Sequence, residues 1–210
     1  CGIDACQKRN AHCKCGGLIM VEKAFDYAAS VMGGINSADI ETQAERDPIF
    51  RSVLSKFHKK PVRVFQVGAI ETFSRDWRTF SGWSDIIWGE YIREYGGALT
   101  VADIDLDHLA LSAFAANSLD YRIHLCFDDA INVILAAEYD IYYLDGSNDP
   151  QETLDQYEKI KHKDAVVIID DYDIKGTLIN EEEIKSMIKY NVFNGVTVID
   201  NLKQGVNQEG

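Results

Sequence analysis

The stretch YDIYYLDGSND (139–149) and the stretch AVVIIDDYD (165–173) share one design. Each is an unbroken apolar run that ends in acid: Ile141 to Leu144 leads into Asp145, and Val166 to Ile169 leads into Asp170 and Asp171. Apolar runs of this length, without polar alternation, read as strands buried on both faces, as in a parallel sheet covered by helices. The same texture recurs upstream. PVRVFQVGAI (61–70) reads as a strand and turn, ALTVADID (98–105) as a strand ending in Asp103 and Asp105, and RIHLCFDDA (122–130) as a strand ending in Asp128 and Asp129.

Helical patterns separate these strands. They are GWSDIIWGEYIREYGG (82–97), LDHLALSAFAANSL (106–119), the short INVILAAE (131–138) and QETLDQYEKIKHK (151–163). NEEEIKSMIKYN (180–191) also reads as a helix, with Asn180 as its cap, and GVTVIDNLKQGVNQ (195–208) as a terminal hairpin. Alternating strands and helices predict an α/β, Rossmann-like doubly wound fold: a mostly parallel seven-stranded sheet with a terminal antiparallel hairpin and an N-terminal helical cap. Right-handed crossovers bring every parallel strand's C-terminal end to one edge, where such folds bind ligands. That edge would collect Gly68 and the acids at 103, 105, 128, 129, 145, 170 and 171.

Composition bounds the rest. With 210 residues, 46% hydrophobic and 26% charged, the chain suits one well-cored domain plus an appendage. We divide it into a Cys-rich head and helical cap (1–60) and a main domain (61–210). The head includes a helical pattern at GLIMVEKAFDYAASVMGG (17–34), and a second helix is expected near 48–57. The net charge of −13 argues against nucleic acid or an anionic membrane as partner, and KFHKKPVR (56–63) reads as a solvated turn. No run approaches the about 20 apolar residues of a membrane span, and no signal-peptide pattern stands out, so cytoplasm is the expected compartment. The chain begins at Cys1 and not at methionine, which leaves room for an upstream segment. Cys1, Cys6, Cys13 and Cys15, with His12 beside them, read as a zinc site, two disulfides or free thiols, because their spacing lacks paired C-x2-C units. Cys126 reads as a core thiol.

The acids at the sheet edge each have a structural and a chemical reading. Asp103 can accept hydrogen bonds from ribose hydroxyls or simply favour a helix N-terminus, although Asp105 is better placed as that cap. Asp128 and Asp129 can meet the exocyclic amine of an adenine or sit in a solvated turn. Asp145, Asp170 and Asp171 can hold a hard divalent cation such as Mg²⁺, or cap the next loop. The turn at Gly68 lacks the G-x-G-x-x-G pattern of a dinucleotide pyrophosphate site.

On VFQVGAIETFS (64–74), LTVADID (99–105), FDDA (127–130), YDIYYLDGSND and VVIIDDYD, the chain resembles class I S-adenosylmethionine-dependent methyltransferases. More narrowly, it resembles the cation-dependent small-molecule O-methyltransferases related to catechol and macrocin O-methyltransferases. The resemblance covers 61 to the C-terminus. It implies a cofactor site at Gln66, Gly68, Ala69, Asp103, Ile104, Asp128, Asp129, Ala130 and Asp145, and a Mg²⁺ (or other divalent cation) site at Asp145, Asp170 and Asp171. It implies methyl transfer to a small-molecule hydroxyl on a sugar, polyphenol or natural product, with the cation easing proton loss from that hydroxyl. Homo-oligomerisation stays open. The chain departs from the family pattern at Gln66, where an acid is usual, and at Thr72, where a second glycine is usual. Its segment RDWRTFSGWSDIIWGEY (75–91) is longer than typical, and its Trp77, Trp83 and Trp88 suit an aromatic wall or a packed core. Ser147-Asn148-Asp149 stands where the family often supplies a Lys or His base. Asp149 is therefore the assigned base, with His108, His124, His162 and Lys175 as alternatives. A non-catalytic Rossmann-like domain and an NAD-dependent oxidoreductase are the rival readings.

Overall fold

The computed structural model describes residues 46–71, 84–192 and 194–203. The cysteine cluster with His12, the pattern at 17–34, Thr72, Trp77 and Trp83 lie outside the described residues. Seven strands form one sheet: β1 (Val62–Val67), β2 (Gly97–Asp103), β3 (Ile123–Phe127), β4 (Ile141–Leu144), β5 (Val166–Asp170), β6 (Met187–Tyr190) and β7 (Val196–Asp200). Their spatial order is β3-β2-β1-β4-β5-β7-β6. β1 to β5 run parallel, and β7 is antiparallel to both β5 and β6. The order reverses between β1 and β4, so the ligand-binding crevice expected of such sheets opens beyond the C-terminal ends of these two strands.

The core follows from side-chain alternation along each strand. Ile141, Tyr143, Val166, Ile168, Val196 and Val198 face one side of the sheet, with α1 (Asp47–Ser55), α2 (Ser84–Tyr95) and α3 (Leu106–Leu119) packed there. Tyr142, Leu144, Val167, Ile169 and Ile199 face the other, where α4 (Ala130–Val133), α5 (Pro150–Ile160) and α6 (Tyr172–Lys175) contribute to the packing. Both faces are covered, so β4 and β5 are buried at every position. α1 falls before the compositional boundary at 61, yet Ile49, Phe50, Val53 and Leu54 pack into the first of these cores. Phe50 stacks against Trp88 and meets Tyr143 edge-on. Lys56 pairs with Asp200 and ties the end of α1 to β7. Trp88 is a core residue. Among the described residues, no helix is long and apolar enough to cross a membrane.

The structure corrects the expected helix at 180–191. That segment is a single 3-10 turn at Glu181–Glu183 followed by β6. The spacing of Ile184, Met187 and Ile188 mimics a helical face, but β7 offers an open edge, and pairing there wins over local pattern. Met187 lies opposite Ile199, and Tyr190 opposite Val196. Asn194 and Gly195, both at positive φ, make the tight return. The antiparallel hairpin is therefore β6–β7, so the partner strand precedes 195–208 in sequence. Asn180 does cap, but for the short turn: its side chain accepts from the Glu182 amide.

Burial sets a graded expectation. Ile168→Ala, on the fully enclosed β5, should cost about 2–5 kcal/mol of unfolding free energy in denaturant titration. Ile188→Ala, on the edge strand at 49% exposure, should cost no more than about 0.5 kcal/mol. Equal losses at both positions would contradict the core described.

Candidate functional site

The backbone leaves β1 at Gly68 with φ +89, a conformation that favours glycine. A Cβ there would lie 2.3 Å from the Asp145 carbonyl oxygen, so the turn after β1 and the end of β4 touch through backbone alone. The turn is held from three sides. The Gly68 amide donates to the Ala102 carbonyl (3.0 Å), the Ala69 amide to Asp103 Oδ2 (2.8 Å), and the Ile70 amide to Ser112 Oγ (3.1 Å). Asp103 Oδ1 also accepts from the Asp105 amide (2.7 Å), and His108 Nδ1 lies 3.5 Å from Asp103 Oδ2. Each carboxylate oxygen keeps capacity for another donor.

Gln66 stands beneath this turn, fully buried and saturated. Its Nε2 donates to the Gly68 carbonyl (2.7 Å) and to Asp85 Oδ1, and its Oε1 accepts from Ser84 Oγ (3.0 Å) and Trp88 Nε1 (3.1 Å). Because the indole nitrogen can only donate, the amide orientation is fixed. Gln66, expected to line a cofactor, therefore acts on the turn from behind. The carboxylate beside it belongs to Asp85. A second carboxylate at position 66 would face Asp85 across a hydrogen-bond distance, which like charges oppose. Among the described residues, Asp85 Oδ2 has no hydrogen-bond partner. Burial pushes the Asp85 carboxyl up to about 7; Ser112 and Gln66 pull it back, and the Asp103 and Asp145 charges push it further up.

Next to Asp103, Ile104 is 74% exposed, and Phe127, opposite Asp103 in register, is 59% exposed. Two large apolar side chains thus flank a carboxylate on the sheet's C-terminal edge. Asp105 caps α3, accepting from the Asp107 and His108 amides. Asp129 caps α4 through the Ile131 amide, with Ala130 buried as that helix's first residue. Asp128 accepts from the Asp129 amide and from Asn132 Nδ2. Asp149 caps α5 through the Gln151 amide.

At the ends of β4 and β5 the three remaining acids converge, and the chain itself neutralises them. Lys175 Nζ lies 2.7 Å from Asp145 Oδ1 and 3.6 Å from Asp171 Oδ2. Arg46 Nε lies 2.9 Å from Asp170 Oδ1, and its Nη2 lies 3.2 Å from Asp171 Oδ1. The Tyr143 hydroxyl is 2.6 Å from Asp170 Oδ2 and 3.1 Å from Asp145 Oδ2. Burial would strip Lys175 of its proton, but Asp145 outweighs it and raises the ammonium's pKa. Arg46 follows the same balance, with Asp170 as the largest opposing charge. Burial, then the Asp145 and Asp170 charges, hold Tyr143 protonated well above the usual phenol range.

This arrangement bears on the expected cation triad. Among the described residues, no group of three or more His, Cys, Asp or Glu is arranged to hold a metal ion. A Mg²⁺ ion needs oxygen ligands at about 2.0–2.1 Å, whereas the facing oxygens here already hold N–H and O–H donors. The expected ligand set does not fit a divalent ion. Lys175, weighed in the sequence only as a base, was signalled by its i,i+4 spacing from Asp171. Arg46, Tyr143 and Asp85 carried no local signal. His124 is exposed on β3, and His162 lines a cleft of about 630 Å³ at the opposite edge of the sheet, beside Asp164 and Asp200. That cleft is far from the strand-end acids.

No protein-family model matches the chain, and no curated protein matches its sequence. Solved structures do match in fold. The methyltransferase PaMTH1 of Podospora anserina, bound to S-adenosylhomocysteine, superposes with a TM-score of 0.52 at 16% identity, over 85% of this chain and 95% of that one. A candidate rRNA methylase of Clostridium thermocellum gives a TM-score of 0.50 at 13% identity, over 73% of this chain and 97% of that one. The chain has the Rossmann-like methyltransferase fold. At these identities the likeness carries architecture alone. On this architecture the chain places Gln66 with Asp85 at the first turn and Lys175 with Arg46 over the last acids.

The Asp85 reading has a pH signature. A carboxyl whose folded pKa lies above its unfolded value stabilises the fold at low pH, and that contribution is lost as pH rises through the folded value. Asp85→Asn should therefore gain on wild type as pH rises from about 4, where the unfolded carboxyl ionises, to about 7, by roughly 4 kcal/mol over that span, given about 1.4 kcal/mol per pKa unit. Thermal unfolding at several pH values reads this. A stability difference independent of pH would remove Asp85 as a buried acid.

Proposed function

We propose that the chain is an S-adenosylmethionine-dependent methyltransferase acting on a small-molecule hydroxyl. The observation that carries the reading is Asp103: a carboxylate at the end of β2, bonded to the turn at Gly68 and flanked by exposed Ile104 and Phe127. A ribose presents two hydroxyl donors, and an adenine presents two flat apolar faces. One acid between apolar side chains suits that pair. The fold supports the same ligand class, since the PaMTH1 structure with which it aligns holds S-adenosylhomocysteine. Phosphates suit this edge poorly, because the acids at 103, 105, 128 and 129 would repel them, which weighs against a dinucleotide.

When bound, S-adenosylmethionine supplies a methyl group on a positively charged sulfur, which an incoming oxygen can take up. The chain's own residues do the rest. Asp103 accepts the ribose hydroxyls while its backbone donors hold it in place. Gly68 and Ala69 keep the first turn free of side-chain bulk, and Gln66 braces it from below. Three acids face two bases here, and burial pushes the Asp145 carboxyl up to about 7 against the pull of Lys175, so a cationic ligand at this corner would favour its ionised form. Positioning of acceptor and donor would supply much of the rate. Asp149 is engaged as a helix cap, which favours proton loss from the acceptor to solvent over a dedicated base. The missing base also keeps the alternative of a non-catalytic binding domain in play, and turnover with any hydroxyl acceptor separates the two.

Calorimetry with S-adenosylhomocysteine tests the proposal. Saturable one-to-one binding is expected, and Asp103→Asn should weaken it about tenfold or more, as loss of charged hydrogen bonds does. No binding, or binding of NAD in its place, would overturn the reading.

A further inference from the structure

The expected cation ligands converge without room for a cation. Lys175 is 2% exposed, on the single turn of α6 that follows β5. Asp171, at φ +47, turns the chain so that Lys175, four residues on, folds back over Asp171 and reaches Asp145 on the neighbouring strand. Arg46, from the turn before α1, closes the other side over Asp170 and Asp171. The Tyr143 hydroxyl bridges Asp145 and Asp170 from below. All six carboxylate oxygens thus face a cation or a hydroxyl within 3.6 Å.

We propose that Lys175, seconded by Arg46, is a built-in replacement for a divalent cation, so that this chain binds its nucleoside ligand with no metal at the strand-end acids. Two charges tethered to the chain stand in for one exchangeable dication. Removing a buried, paired ammonium leaves carboxylates without a counter-charge, which is far costlier than never having buried them. A tethered cation also cannot be chelated away. Lys175 is a positioning residue: it holds the side chain of Asp145, whose backbone carbonyl sits against Gly68 at the end of the paired strands β1 and β4. The inference deepens the methyltransferase reading and rests on it for the identity of the ligand, though not for the metal chemistry.

The experiment is a Mn²⁺ titration of the whole chain, followed by the electron-paramagnetic signal of free Mn²⁺. Wild type should take up no Mn²⁺ saturably at millimolar concentration. Lys175→Gln, which keeps the stem and removes the charge, should gain a saturable Mn²⁺ site, and adding Asp145→Asn should abolish it. A purely structural lysine would produce no such gain. Should Lys175→Gln not fold, wild type still decides: one saturable Mn²⁺ site lost in Asp145→Asn overturns the proposal, and its absence supports it. A folded Lys175→Gln that gains no site also overturns it. S-adenosylhomocysteine calorimetry in EDTA and in Mg²⁺ is the companion measurement, with equal affinities expected and tighter binding in Mg²⁺ counting against. If the nucleoside fails to bind at all while the Mn²⁺ results hold, the methyltransferase reading falls and the internal-cation reading stands.

Discussion

Three carboxylates, Asp170 buried and Asp145 and Asp171 half-buried, meet at the ends of two adjacent strands, and their neutralisation shapes this edge of the sheet. Left alone, Asp145, Asp170 and Asp171 would repel one another in a low-dielectric corner. Lys175 and Arg46 set two bases against the three acids, and Tyr143 shares a proton donor between two of the acids. Neutralisation from within has architectural consequences. Arg46 draws the N-terminal segment across the sheet, where Phe50 of α1 seats on Trp88 and Tyr143. Lys175 clamps α6 against β4. Beside this cluster β1 and β4 pair along their length, and the missing side chain at Gly68 lets the first turn lie against the Asp145 carbonyl.

A second buried acid works on the other side of the same turn. Asp85 is hydrogen-bonded to Gln66, and its burial, opposed by Ser112 and Gln66, pushes its carboxyl up to about 7. With an amide at 66 and the acid at 85, the carboxylate nearest the first turn's brace is carried by α2. The turn is thus braced by a saturated amide, with the negative charge one layer further from the ligand edge.

Much of this was legible in the residues. Unbroken apolar runs at β4 and β5 announced a sheet covered on both faces, and the recurrence of acid after each strand announced one functional edge. Asp105 was recognisable as a cap from its place before α3. The helix expected at 180–191 failed because three apolar residues at helical spacing also suit a strand, and only the open edge of β7 decides between them. What neutralises the acids after β4 and β5 was not legible for a related reason. Spacing brings carboxylates together, but whether a metal or a side chain neutralises them depends on residues distant in sequence, such as Arg46, which lies more than a hundred positions before Asp170. Lys175 was the exception, its i,i+4 relation to Asp171 being local.

The account's central claim is that the nucleoside ligand sits where the ends of β1 and β2 meet, between Gly68 and Asp103. Amide chemical shifts of isotopically labelled protein, followed while S-adenosylhomocysteine is added, test it most directly. The account predicts that Gly68, Ala69, Asp103, Ile104 and Phe127 shift together and saturate together. Shifts confined to the cleft around His162 and Asp164 at the far edge, or none at all, would contradict it.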